Sequence, residues 1–130
     1  MLTVCTPTYN RALLLEDLYN SLKKQSSTDF EWIIIDDGST DNTSEIIEKF
    51  IDEKNSFHID YIKKENGGKH TAVNVGVERA KGEYFIIVDS DDYLTENAVE
   101  TIIEKFKTIP SSGFAGVGFN RVFEDTTLVG

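Results

Sequence analysis

Apolar residues along the chain follow two alternating patterns. Short unbroken runs of β-branched, aromatic and small apolar residues are typical of strands that are covered on both faces. Longer segments carry apolar residues at every third or fourth position, which is the spacing of one helix face. The predicted strands cover Leu2 to Thr6, Trp32 to Ile35, Ile59 to Ile62, Tyr84 to Val88 and Phe114 to Phe123. The predicted helices cover 14–22, 46–51, His70 to Ala80 and Thr95 to Lys107.

The order of these elements predicts the fold class. Strand–helix alternation indicates βαβ units, which build a mostly parallel sheet with helices on both faces. No repeat, low-complexity segment or linker interrupts the pattern, so we expect residues 1–130 to form one α/β domain. At the helix starts, Asn10 is the expected N-cap of the first helix, and Asn42 with Glu45 resembles a capping box at the second.

The net charge and the composition of the chain argue against some classes of binding partner and some cellular settings. The formal net charge of −10 argues against nucleic acid, whose phosphates are bound by clustered Lys and Arg. Cys5 is the only cysteine, which excludes an internal disulfide, and its apolar surroundings indicate a buried core residue. The sequence shows neither a signal-peptide pattern nor an apolar stretch long enough to span a bilayer. We therefore expect a cytoplasmic setting.

Polar residues are concentrated where three of the predicted strands end. The carboxyl ends of parallel strands meet at one edge of a sheet, and ligands bind outside that edge. We therefore expect the three clusters to converge on one crevice. They are Pro7 to Asn10 after the first strand, Asp36 and Asp37 after the second, and Asp89, Asp91 and Asp92 after the strand at 84–88.

The group Asp89-Ser90-Asp91 is the sharpest chemical signal. Alternate residues of an extended segment point the same way and lie about 6.6 Å apart along the chain. Two carboxylates so placed can share one Mg²⁺ or Mn²⁺ ion, because these ions prefer hard oxygen ligands. The alternative is a solvated turn in which one Asp caps the following helix.

The other candidate residues each have a structural alternative. Asp36 and Asp37 either accept a hydrogen bond from a base or ribose, or belong to an ordinary Asp-Gly turn. The Tyr9 ring either stacks on a nucleobase or packs on the surface. Lys69 follows two glycines at a helix start, where phosphate oxygens can bind, or it is simply exposed. The segment is not a Walker A loop, because Lys63 stands where that motif needs Gly. Two isolated histidines, His58 and His70, are expected to be structural or surface residues.

Together these clusters resemble the family 2 glycosyltransferases, which have the Rossmann-like GT-A fold. The resemblance extends to about Lys107, and we identify the chain as the N-terminal, nucleotide-sugar-binding portion of such an enzyme. The order and spacing of the motifs are specific, although each alone is weak. The motifs are Thr6-Pro7-Thr8-Tyr9-Asn10-Arg11, Ile34-Ile35-Asp36-Asp37-Gly38-Ser39-Thr40-Asp41, Asn66-Gly67-Gly68-Lys69 with Asn74 and Gly76, and Val88-Asp89-Ser90-Asp91-Asp92.

The resemblance implies a role for each matching residue. Pro7, Thr8 and Tyr9 would hold the nucleoside, usually uridine. Asp37, ahead of Asp36, would contact the base, and Lys69 would lie near the base or the diphosphate. Asp89 would face the ribose and the metal, and Asp91 would coordinate the Mg²⁺ or Mn²⁺. Arg11 and Ser90 would complete the donor site.

The implied reaction is inverting sugar transfer from a nucleotide sugar, such as a UDP-sugar, to a hydroxyl of a glycan, lipid or protein acceptor. The resemblance also implies proximity to the inner face of the membrane in the full-length protein. In the family the catalytic base comes from a later acidic motif. Few residues follow Lys107 here, and Glu124 and Asp125 lack the matching surroundings. We therefore expect a truncated chain that lacks the base, with a final strand whose exposed edge favours self-association.

Three other classes of protein remain open at this point. A sugar nucleotidyltransferase has a similar sheet but a glycine-rich basic loop after its first strand, which residues 7–11 do not provide. A phosphoacceptor receiver module binds Mg²⁺ at strand ends but needs a later strand-end lysine. A module that binds a nucleotide sugar without chemistry would keep the same residues.

Overall fold

Strands and helices alternate in the computed structural model, which describes residues 1–109 and two short later strands. The strands of the first part are β1 (Leu2–Thr8), β2 (Phe30–Asp36), β3 (His58–Lys63) and β4 (Tyr84–Ile87). The helices are α1 (Ala12–Lys23), α2 (Thr43–Asp52), α3 (Lys69–Arg79) and α4 (Ala98–Lys107). The later strands, β5 (Arg121–Val122) and β6 (Leu128–Val129), pair antiparallel with each other.

The predicted strand at Phe114 to Phe123 lies outside the described residues, apart from the two residues of β5. The four helices are 10 to 12 residues long. A helix that crosses a bilayer needs about 20 apolar residues. Within the part of the chain that the structure describes, no helix has the length and hydropathy to cross a membrane.

The first four strands form one parallel sheet in the order β3-β2-β1-β4. β1 is central and pairs with β2 on one side and with β4 on the other. After β3 the chain crosses to the far side of β1, so the order reverses between β1 and β4. In open parallel sheets, ligands bind outside the carboxyl ends of the strands at such a switch point. The topology therefore places the expected crevice beyond Thr8 and Ile87.

Successive strand residues point to opposite faces of the sheet, and helices cover both of these faces. On one face, Val4 and Ile34 belong to a large apolar core that includes residues of α1, α2 and α4. On the other face, Cys5 and Ile33 pack with Ala72 of α3 in a smaller core. Every residue of β1 and β2 is buried, which explains why apolar residues occur on both faces of these central strands. The predicted α/β class is confirmed.

The helix starts differ from the sequence prediction. Arg11, not Asn10, is the N-cap of α1, and its side chain makes no capping bond. Asn42 is the N-cap of α2, as predicted, but its side chain makes no capping bond. Instead the carboxylate of Asp41 accepts from the backbone N–H of Thr43, the first residue of α2, at 3.1 Å. An ionised oxygen is a stronger acceptor than an amide oxygen, so Asp41 takes the place of the predicted capping box.

Gly76 lets α3 lie close against β1. A methyl group at Gly76 would come 2.4 Å from Cys5 Sγ, which no real contact allows. The interior glycine therefore has a packing reason, although glycine lowers helix propensity by about 1 kcal/mol relative to alanine. Cys5 is fully buried, and burial raises the pKa of its thiol to about 11, so it behaves as a small core residue.

The substitution Gly76→Ala is expected to destabilise the chain by about 1–3 kcal/mol despite its better helix propensity, because the added methyl overpacks the contact with Cys5. The free energy of unfolding from urea titration measures the effect.

The double variant Cys5→Ala/Gly76→Ala is the matched control. Without Sγ the new methyl meets Cys5 Cβ at 3.6 Å, an ordinary contact, so part of the lost stability should return. If Gly76→Ala is as stable as the wild type, the close approach of α3 to β1 is wrong.

Candidate functional site

A cleft of about 340 Å³ opens at the carboxyl ends of β1, β2 and β4. It lies at the switch point of the sheet, where the topology favours ligand binding. Asp37 and Asp91, which are far apart in the sequence, share it. Nine residues line the cleft, and all nine are predicted site residues: Pro7, Thr8, Tyr9, Arg11, Asp37, Lys69, Asp89, Ser90 and Asp91.

Asp36 is the one predicted site residue that the fold does not bring to the cleft. Its side chain is fully buried. Oδ1 accepts from the backbone N–H of Ser39 at 2.8 Å, and Oδ2 accepts from the hydroxyl of Tyr61 at 2.7 Å. Asp36 therefore joins the end of β2 to β3 and helps to fix the turn that contains its neighbour Asp37.

Asp37 is nearly buried at the edge of the cleft, with 5% of its surface exposed. Its Oδ1 accepts from Lys64 Nζ at 2.7 Å and from the backbone N–H of Gly67 at 2.9 Å. Its Oδ2 accepts from the backbone N–H of Gly68 at 2.8 Å. Burial alone would raise the pKa of this carboxyl, but the hydrogen bonds from Lys64, Gly67 and Gly68 outweigh burial and lower it. Asp37 is therefore ionised at neutral pH.

The turn that carries Asp37 requires glycine. Gly38 has φ +87°, and a Cβ there would lie 2.9 Å from the backbone nitrogen of Asn66. The Asn66 side chain donates to the carbonyl of Asp37 at 3.0 Å. The loop after β3 thus closes directly onto the loop after β2, and α3 begins where this contact ends.

Asn10 is a positioning residue whose role the sequence prediction missed. It has φ +52°, a left-handed conformation that Asn adopts more readily than most residues. Its Oδ1 accepts from the backbone N–H groups of Thr40 at 2.8 Å and Asp41 at 3.3 Å. Its own N–H donates to Ser39 Oγ at 2.9 Å. Asn10 therefore ties the first strand-end loop to the second and sets the positions of its neighbours. The Asn turn preference was the available signal.

Three carboxylates gather at the end of β4. One oxygen from each of Asp89, Asp91 and Asp92 lies within 4.8 Å of the other two. This set adds Asp92 to the predicted pair. A compact group of carboxylate oxygens fits Mg²⁺ or Mn²⁺, which prefer hard oxygen ligands.

Two basic side chains reach the same group. Lys69 Nζ lies 2.6 Å from Asp89 Oδ1, and an Arg11 guanidinium nitrogen lies 3.9 Å from Asp91 Oδ2. Lys69 is the first residue of α3, and Gly68 before it has φ +97°. Helix α3 and the loop after β1 therefore each direct one cation to an otherwise acidic edge of an acidic protein.

The Thr8 hydroxyl is a buried group in need of a partner. Thr8 Oγ1 is the only buried side-chain oxygen or nitrogen within the described residues that makes no hydrogen bond. Buried hydroxyls normally find a partner, and leaving one unpaired is costly. Because Thr8 lines the cleft, a bound ligand can supply that partner.

Comparison with known proteins decides the family. Residues 3–128 match the family model described as Glycosyl transferase family 2. The chain belongs to glycosyltransferase family 2. Glycosyltransferase GlyG of Streptococcus pneumoniae is 40% identical over 81% of the chain and 35% of its own length. The putative teichuronic acid biosynthesis glycosyltransferase TuaG of Bacillus subtilis is 36% identical over 98% of the chain and 50% of its own length.

Solved structures of glycosyltransferases share the fold. Residues 1–349 of Staphylococcus aureus TarS, crystallised in complex with UDP, superpose with a TM-score of 0.73 at 31% identity, over 92% of this chain and 38% of that one. The mannosyltransferase PcManGT from Pyrobaculum calidifontis, in complex with GDP-Man and Mn²⁺, gives a TM-score of 0.77 at 27% identity, over 86% and 33% of the two chains. The expected GT-A fold is confirmed. This family 2 chain spans half or less of the length of each relative named here.

The substitution Asn10→Ala is expected to lower the free energy of unfolding by about 1–3 kcal/mol. It leaves two backbone N–H groups of the second loop without their acceptor, and it places alanine in a left-handed conformation. Thermal or urea unfolding measures the loss.

Asn42→Ala is the matched control, because the Asn42 side chain makes no capping bond. Its stability should stay within about 0.5 kcal/mol of the wild type. Equal effects of the two substitutions would contradict the positioning role of Asn10.

Proposed function

We propose that the chain forms the donor-binding half of an inverting, divalent-metal-dependent glycosyltransferase that uses a nucleotide diphosphate sugar, specifically a UDP-sugar. One observation carries the proposal. The cleft lining contains the hydrogen-bonded carboxylate of Asp37 together with Asp89 and Asp91, two members of the three-carboxylate group that follows β4. A base needs a hydrogen-bond acceptor, which Asp37 would supply. A pyrophosphate needs positive charge, which a divalent cation held by the three-carboxylate group would supply. The UDP and GDP-Man complexes of TarS and PcManGT support this assignment.

The nucleoside would bind between the first two strand ends. Tyr9 is 47% exposed and lines the cleft, and its ring would stack on the base. Thr8 Oγ1 would find its missing partner in the nucleoside. Asp37 would accept a hydrogen bond from the base, since its Oδ2 has one described donor and room for another.

The diphosphate would lie toward Lys69 and Arg11. Both cations now pair with Asp89 and Asp91, and their charge would help a polyanion enter an acidic protein. Asp89, Asp91 and Asp92 would hold the Mg²⁺ or Mn²⁺, and Ser90 would line the donor site beside them. When bound, such an ion stabilises the negative charge of the leaving diphosphate as a Lewis acid.

The acceptor proton needs a base that can reach the acceptor hydroxyl. We expect this base to come from an acceptor-binding part that residues 1–130 do not supply, because the cleft carboxylates would be engaged by the donor and its metal. The second candidate function follows directly: on its own, the chain would bind a nucleotide sugar without transferring it.

The biological setting is also part of the proposal. TuaG is named for teichuronic acid biosynthesis, and TarS is named a poly(ribitol-phosphate) β-N-acetylglucosaminyltransferase. These relatives support a role in building a cell-wall polysaccharide, with a glycan, lipid or protein as acceptor. The single, buried Cys5 fits a reducing cytoplasm, and we place the reaction at the inner face of the membrane.

Calorimetric titration of UDP, GDP and dTDP, each with and without Mn²⁺, tests donor binding. We expect UDP to bind, and Mn²⁺ to tighten binding. Asp91→Ala should weaken the Mn²⁺-dependent binding by about tenfold or more, because one of three clustered carboxylates is lost.

Asp52→Ala is the control, since it removes one exposed carboxylate at the end of α2 and leaves the cleft intact. It should bind UDP like the wild type. Equal Mn²⁺-dependent binding by Asp91→Ala and Asp52→Ala would refute the metal assignment.

Transfer and hydrolysis of UDP-sugars test the missing base. The 130-residue chain is expected to transfer at least about a hundredfold more slowly than a longer chain that includes the acceptor-binding half, since a positioned base contributes that much or more. Robust transfer by the short chain would show that its own residues supply the base.

A further inference from the structure

The loop of residues 64–68, between β3 and α3, closes around Asp37. Three of its donors reach the Asp37 carboxylate: Lys64 Nζ and the backbone N–H groups of Gly67 and Gly68. Two further bonds anchor the same loop, from Lys64 N to Asp36 O at 2.9 Å and from the Asn66 amide to Asp37 O at 3.0 Å. Lys64 is the only one of the three carboxylate donors that carries charge.

The pattern of acceptors leaves one position open. Each carboxylate oxygen can accept about two hydrogen bonds. Oδ1 already accepts from Lys64 and Gly67, so it is saturated. Oδ2 accepts from Gly68 alone among the described residues, and Asp37 lines the cleft. The side chain therefore presents a single acceptor and no donor.

We propose, building on the donor-binding function above, that Lys64 determines which nucleobases the cleft selects, by holding Asp37 as a pure acceptor with one free lone pair. Uracil, thymine and guanine each present a ring N–H that this lone pair can accept. Cytosine presents a ring nitrogen acceptor at the corresponding position, so it would face the carboxylate with two lone pairs opposed. Lys64 acts through Asp37 and is a positioning residue for base selection.

Among the charged groups near Asp37, Lys64 is the one that controls the protonation of the Asp37 carboxylate. Arg11 and Lys69 also line the cleft, but each is paired with a carboxylate of the group after β4, Asp91 and Asp89 respectively. The adjacent Asp36 is engaged with Ser39 and Tyr61. Lys64 lies 2.7 Å from the Asp37 carboxylate and is largely buried with it. Removing its charge leaves only the backbone N–H groups of Gly67 and Gly68 to oppose the effect of burial, which favours the protonated form of Asp37.

The test measures UDP and CDP affinities by calorimetry, in the presence of Mn²⁺, from about pH 8 to about pH 5. In the wild type the pKa of Asp37 is lowered, so the carboxylate stays ionised and UDP should stay preferred over this range. In Lys64→Gln the pKa of Asp37 rises, so the UDP-over-CDP preference should fall about tenfold toward the acid end. Protonated Asp37 can donate to cytosine, so CDP affinity should rise there.

Two further variants serve as controls. One loses the same charge as Lys64→Gln but at a neighbouring position, and the other keeps the positive charge at position 64. Lys63→Gln removes an exposed lysine next in the chain and should keep the wild-type preference at every pH. Lys64→Arg keeps a cation and should restore most of the preference. A folded Lys64→Gln whose preference and pH profile match those of Lys63→Gln overturns the proposal, because a merely structural lysine would change affinity without changing base selection or its pH dependence.

A ligand-side test needs no variant and therefore does not depend on folding. N3-methyl-UDP lacks the ring N–H and should bind the wild type about tenfold more weakly than UDP. Equal binding of the two ligands overturns the acceptor role of Asp37 and with it the role of Lys64. Failure of the proposed function would give a different result, because the wild type would then bind neither UDP nor GDP.

Discussion

The buried carboxylate of Asp37 is the interaction on which the arrangement of the site depends. A buried charge is costly unless donors and an opposite charge surround it, and here the 64–68 loop supplies both. Closing that loop over Asp37 also sets where α3 starts, because Gly68 is the last donor and the N-cap of the helix. Lys69, the next residue, is thereby directed to Asp89 across the cleft. One satisfied carboxylate thus links the second strand end to the fourth.

The acidic residues at the strand ends have different environments and therefore different roles. Asp36 is fully buried and bonds only inward, so it stabilises the turn. Asp37 is buried but keeps one acceptor toward the cleft. Asp89 and Asp91 are part of a more open group, where carboxylates cluster beside two cations. Residues of the same chemical type are thus divided between buried, hydrogen-bonded positions and a more open cluster by burial and by the donors around them.

The chain carries a net charge of −10, yet two cations, Arg11 and Lys69, line the cleft. The few cations in the cleft lie next to the acidic group, where the local field and not the net charge decides binding. The match to glycosyltransferase family 2 covers residues 3–128 and includes every lining residue of the cleft. The backbone linkages through Asn10 and Gly38 then hold the loops in place without touching the ligand site themselves.

The sequence by itself determined the fold class and most of the site. The apolar residues of β1 and β2 indicated burial on both faces, which is typical of a parallel sheet covered by helices, and parallel strands bring their polar ends to one edge. This reasoning reached all nine residues that line the cleft. It ranked Asp37 ahead of Asp36 but expected both in the site, because only the tertiary structure shows that Asp36, the last residue of β2, is buried and bonded to Ser39 and Tyr61. It also assigned Asn10 and Asn42 as helix caps, whereas Asn10 binds a loop that is distant in the sequence and Asp41 caps α2. Hydrogen bonds between such loops depend on how β1, β2 and β3 are aligned, and local patterns contain no information about that alignment. For the same reason, only the tertiary structure could place Lys64 on Asp37 and Gly76 on Cys5.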